Sequence, residues 1–94
     1  MAKGTATIDF GATPTHYAEF TVTDAGMAGS TYVEPFFMSS DSTASNSASN
    51  HARAQFEIDL IGGAPVGNDF PVICKLRNKR MTITGTLKIR YAGA

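Results

Sequence analysis

Apolar and polar residues alternate one by one along much of this chain, most clearly from Met81 to Tyr91. Met81, Ile83, Gly85, Leu87, Ile89 and Tyr91 take one phase. Thr82, Thr84, Thr86, Lys88 and Arg90 take the other. Side chains of a strand point to opposite faces with a period of two. The stretch therefore predicts a strand with one buried face and one wet face.

The same pattern recurs upstream. Ala6, Ile8 and Phe10 alternate with Thr5, Thr7 and Asp9, and Gly11 and Pro14 close that strand. After His16 and Tyr17, residues Ala18, Phe20 and Val22 alternate with Glu19, Thr21 and Thr23. Asp24 to Ser30 reads as a loop with room for a short helical turn. Thr31 to Ser39 predicts a third strand, apolar on parts of both faces, and Pro35 makes it an edge or marks a bulge. Ser40 to Asn50 holds only Ser, Asp, Thr, Ala and Asn and reads as a long polar loop. His51 to Gly62 returns to alternation, with Ala52, Ala54, Phe56, Ile58 and Leu60 expected inward. Gly62 to Asp69 is turn chemistry, with a very short strand at Ala64 to Val66. Phe70, Val72, Cys74 and Leu76 form the next inward set. The basic turn Arg77-Asn78-Lys79-Arg80 should join that strand to the last one as an antiparallel hairpin.

Short strands at close spacing, separated by turn clusters, predict an all-β protein. The expected architecture is an antiparallel β-sandwich of about six to eight short strands, with a small open barrel as runner-up. At 94 residues the chain should form a single domain, 1–94, with its long polar loop at 40–50.

Composition sharpens this picture at three points. Cys74 is the sole cysteine, so no disulfide can form within the chain, and its apolar phase predicts a buried, inert thiol. The N-terminus runs straight into strand-like sequence without an apolar leader, and no apolar run reaches membrane-spanning length. Charge sums to zero but is segregated. Through residue 69, Lys3 and Arg53 stand against eight acids, whereas residues 70–94 carry six cations and no acid. Either these charges neutralise across the sheet, or a basic patch meets an acidic partner.

Catalytic chemistry is poorly supplied. His16 lies at a turn and His51 at the foot of the polar loop, and no spacing fits a zinc or calcium site. Many serines are present, but no nucleophile elbow. The basic hairpin tip lacks the interleaved aromatics of a nucleic-acid surface. No enzyme activity, metal, cofactor, nucleic acid or membrane partner is expected.

Four stretches carry a resemblance. They are Thr7 to Pro14, Ala28 to Glu34, Asp41 to Ala44 leading on to His51-Ala52-Arg53, and the closing Leu87 to Tyr91. Together they resemble small proteins encoded among the structural genes of tailed bacteriophages and prophages. The resemblance implies a virion component made in the host bacterial cytoplasm, without catalytic residues. It points first to a capsid decoration, or cement, protein that stabilises the head through multivalent contacts. The alternative is a tail-associated or fibre module that binds a host-surface glycan or protein. Expected partners are the major capsid protein or other virion proteins, and further copies of the chain. The candidate interface residues are Tyr32, Pro35, Phe36, Phe37 and Met38 on the apolar edge, with Lys75, Arg77, Lys79 and Arg80 at the basic tip. The candidate ligand loop offers Asp41, Asn46, Asn50 and His51.

Overall fold

The computed structural model describes residues 2–38, 41–78 and 80–93. Six strands form two antiparallel three-stranded sheets. They are β1 (Ala2–Asp9), β2 (Tyr17–Thr23), β3 (Val33–Phe37), β4 (Ile58–Gly62), β5 (Asp69–Leu76) and β6 (Thr86–Gly93). One sheet has the order β1-β6-β3 and the other β2-β5-β4. The fold is an all-β, sandwich-like one, as the alternation predicts. A 3-10 turn (Ala25–Met27) and one helix, α1 (Ala48–Glu57), complete it.

The inward phases of the two central strands make the core. Phe70, Val72, Cys74 and Leu76 of β5 are buried, and so are Leu87, Ile89 and Tyr91 of β6. The Phe70 and Tyr91 rings join the sheets edge to face, with centroids 4.8 Å apart. Truncating a buried aromatic such as Phe70 to Ala costs roughly 3–5 kcal/mol. The sheets also touch at their rims. Val33 N–H donates to the Gly63 carbonyl at 3.1 Å, and Thr15 bridges Ile83 on the other side. These isolated bonds stitch the rims without closing a continuous barrel.

Four expectations need correction. First, Ala48–Glu57 is helical, not extended. The segment alternates, but it also places His51, Ala54 and Ile58 three and four apart, and all three are buried. Ser47 caps the helix by accepting the Asn50 N–H at 3.2 Å, and Ala, Arg, Gln and Glu favour helix. Phe56 consequently points to solvent, 75% exposed.

Second, β5 and β6 are not a hairpin. They lie in different sheets, and residues 77–85 cross between them. The Leu76 N–H turns to His16 and the Arg77 N–H to Glu57, so β5 already has a neighbour on each side. Third, the last strand begins at Thr86 rather than Met81. Gly85 breaks it with φ +80°, in the left-handed region open to glycine. Fourth, the third strand spans Val33–Phe37. Ser39 and Ser40, at the junction of the predicted strand and loop, lie outside the described residues.

Candidate functional site

Strand β3 is the edge of its sheet, and its side chains alternate strictly. Val33, Pro35 and Phe37 are buried, while Glu34 and Phe36 are exposed. Phe37 at 6% exposure belongs to the core. Met38 is half-buried, and its N–H donates to the Lys88 carbonyl at 3.1 Å. Main-chain groups of successive strand residues point to alternate sides. The N–H groups of Glu34 and Phe36 thus face β6 with that of Met38, and Pro35 falls on the outward side. Its missing N–H costs the ladder nothing there.

Between the β3 edge and the β4 edge lies a groove of about 730 Å³. Glu34, Pro35 and Phe36 form one lip, Asp59 and Ile61 the other, and Gln55 of α1 reaches in as well. Tyr32, Phe36 and Ile61 are 45%, 44% and 51% exposed. Arg90 on β6 lies over the Phe36 ring, 5.9 Å from its centroid, a cation–π arrangement. Arg77 also lines the groove, and its Nε donates to Asp59 Oδ1 at 2.7 Å.

The structure thus joins Tyr32, Pro35, Phe36 and Arg77 in one place, and Phe37 lines the groove from the core side. Lys75 lies in register between Tyr17 and Asp59 on an outer face of the other sheet. Arg80 sits in the exposed turn, where its N–H donates to Asn78 Oδ1. Lys79 lies outside the described residues. Glu34, Asp59, Ile61 and Arg90 also line the groove and were not among the expected interface residues. For Ile61 a signal exists: it is a large apolar side chain on the same phase as Asp59 in β4.

The segregated charges do meet within the fold. Arg77 pairs with Asp59, and Lys88 Nζ with Asp41 at 3.1 Å. The Ser42 N–H and Lys88 hold the Asp41 carboxyl below its ordinary range.

The four candidate ligand residues of the polar loop are engaged by the fold itself. Asn46, although in a polar loop, is only 8% exposed. Its Nδ2 donates to the carbonyls of Thr84 and Thr86 at 3.1 and 2.8 Å. Asn50 donates to Asn46 Oδ1, and Asp41 holds Lys88. His51, fully buried, contacts the Ser47 carbonyl through Nδ1 and accepts the Lys88 N–H at Nε2, both at 2.9 Å.

Cys74 and Tyr91 are confined as well. Burial pushes the Cys74 thiol up to about 12, so it is no nucleophile at neutral pH. Tyr91 donates its hydroxyl to Asp24 Oδ2 at 2.6 Å. Among the described residues no three of His, Cys, Asp and Glu converge as a metal site would require. No helix among them is long and apolar enough to cross a membrane. No protein-family model, no curated protein and no solved structure matches the chain.

Proposed function

We propose that this chain is a non-enzymatic structural protein of a tailed-bacteriophage virion, and that it decorates the capsid shell through multivalent protein contacts. The observation that carries this reading is the groove between the β3 and β4 edges. It presents Tyr32, Phe36 and Ile61 to solvent, while Asn46, Asn50 and His51 are engaged within the fold. Exposed aromatic anchors beside arginine are the side chains that dominate protein–protein hot spots. Many copies on one shell would add weak contacts by avidity. The resemblance of Thr7 to Pro14 and Leu87 to Tyr91 to phage structural proteins supplies the setting. The tail-module alternative receives less support, because Asn46, Asn50 and His51 are used within the fold.

The test is co-sedimentation of purified protein with capsids that lack it. Saturable binding of many copies per particle is expected, with loss on Phe36→Asp. Binding to host cells or tails, and none to capsids, would replace this reading with the alternative.

A further inference from the structure

Phe36 and Arg90 form a ridge with a hollow on each side. One hollow is the groove already described. The other, about 530 Å³, lies over β1 and β6 and is lined by Lys3, Gly4, Thr5 and Ala92 as well as the ridge residues. A ridge beside hollows on one surface can be its own complement, which a two-fold contact between identical chains requires.

Charge narrows the occupant further. Among the described residues, Glu34 and Arg90 form no ion pair, whereas Arg77 already holds Asp59. Each copy thus offers Glu34 as a free acid and, beside it, Arg90 and Lys3 as free bases, of which Arg90 is the one in register with Phe36 on β3. The chain has no net charge, so two copies do not repel at long range.

Backbone pairing across this edge is largely ruled out. Val33 N–H is already bonded to Gly63, and Pro35 has no N–H to give. A partner must therefore dock through side chains.

We propose that two copies of the chain pair across β3, about a two-fold axis beside Pro35, with Glu34 of each reaching Arg90 of the other. Antiparallel strips centred on Pro35 bring Glu34 of one copy opposite Phe36 of the second. Arg90 of that second copy lies over the ring there. Phe36 and Tyr32 then seat in the partner's hollows and lose their exposure to water. This deepens the reading of the chain as an assembling subunit, and it names a second copy as the first occupant of the groove.

Sedimentation equilibrium of the full chain tests it. The wild type should show twice the chain mass at micromolar concentration. Glu34→Arg and Arg90→Glu, each alone, should weaken the dimer at least about tenfold by setting like charges together. Mixing the two variants should restore a dimer, because a copy with arginine at both positions then faces a copy with glutamate at both. Both side chains are exposed, so each variant should keep its folded spectrum. A wild type that stays monomeric overturns the pairing, and so does a dimer indifferent to either substitution or a mixture that remains monomeric. Capsid binding is scored separately: a monomer that binds capsids removes this dimer and leaves the decoration reading. A dimer that ignores capsids does the reverse.

Discussion

The imidazole of His51 stands where the edge strand stops: its Nε2 accepts the N–H of Lys88 at 2.9 Å. Lys88 already accepts the Met38 N–H at its carbonyl. A continued antiparallel ladder would return the bond from Lys88 N–H to the Met38 carbonyl. The histidine ring replaces that carbonyl and ties α1 to the central strand.

The relationship fixes a tautomer. Nε2 must be the acceptor, so Nδ1 carries the proton and donates to the Ser47 carbonyl, 2.9 Å away. Nitrogen-15 shifts of His51 should show a protonated Nδ1 and a bare Nε2. His51→Phe retains volume but leaves the Lys88 N–H without a partner in a dry site. The expected cost is roughly 1–3 kcal/mol in denaturant unfolding. Unchanged stability would mean that the ring is filler and not a bond partner.

A second coupling contributes at both ends of the pH profile. The Tyr91 hydroxyl and then the Gly26 N–H hold the Asp24 carboxyl below its ordinary value of 3.8. A depressed folded-state value stabilises above the unfolded one, and that contribution disappears as pH falls through the folded value. Burial first, and Asp24 second, raise Tyr91 from 10.0 to about 12. Between those values the unfolded chain releases a proton that the folded chain retains. Stability should therefore also fall as pH climbs from 10.0 to about 12. Ultraviolet titration should find Tyr91 ionising at about 12. Tyr91→Phe should flatten both limbs of the stability profile. An identical profile in that variant would break the link between the two residues.

The contrast between β5 and α1 shows what alternation can and cannot reveal. Phe70 to Leu76 is buried on every second residue because that face packs on the opposite sheet. Residues 52–60 alternate as well, yet they contain a helical stripe at the same time. A local cap at Ser47 and the fit of His51 against β6 decide between the two. The second factor depends on residues 37 positions apart, which no local pattern encodes. The false hairpin has the same origin, since β6 pairs with β1 from the far end of the chain. At the candidate site, Pro35 amid aromatics marked the β3 edge correctly. The groove needed β4 as its other lip, so Ile61 and Asp59 became visible only when the sheets were set side by side.

Docking of the polar loop gives a third prediction. Asn46 bridges to Thr84 and Thr86, and the Ser45 hydroxyl contacts the Thr86 N–H at 2.9 Å. A Cβ on Gly85 would lie 2.5 Å from Ser45 Oγ, at a positive φ that side chains resist. Gly85→Val and Asn46→Leu should each release residues 41–47 from β6. Limited proteolysis should then cut this loop in both variants and spare it in the wild type. Asn46→Leu should cost roughly 1–3 kcal/mol, through the lost bonds to the Thr84 and Thr86 carbonyls, of which only Thr86 keeps a side-chain donor in Thr43. Equal resistance in all three proteins would show that the loop is held by other contacts.

Two exposed phenylalanines allow the groove to be separated from general surface stickiness. Phe56 on α1 is 75% exposed and Phe36 on β3 is 44% exposed, but only Phe36 lines the groove and lies beneath Arg90. A contact driven by nonspecific apolar exposure would depend more on Phe56, the more exposed ring. A contact built on the groove would depend on Phe36, where a partner can close over the ring and the guanidinium together. Phe36→Ser should abolish capsid binding or self-association, and Phe56→Ser should leave both within about twofold of wild type. Neither change should alter thermal stability by more than about 1 kcal/mol, since both rings face water. If Phe56→Ser proved the more damaging, the helix surface would displace the β3–β4 groove as the site of assembly.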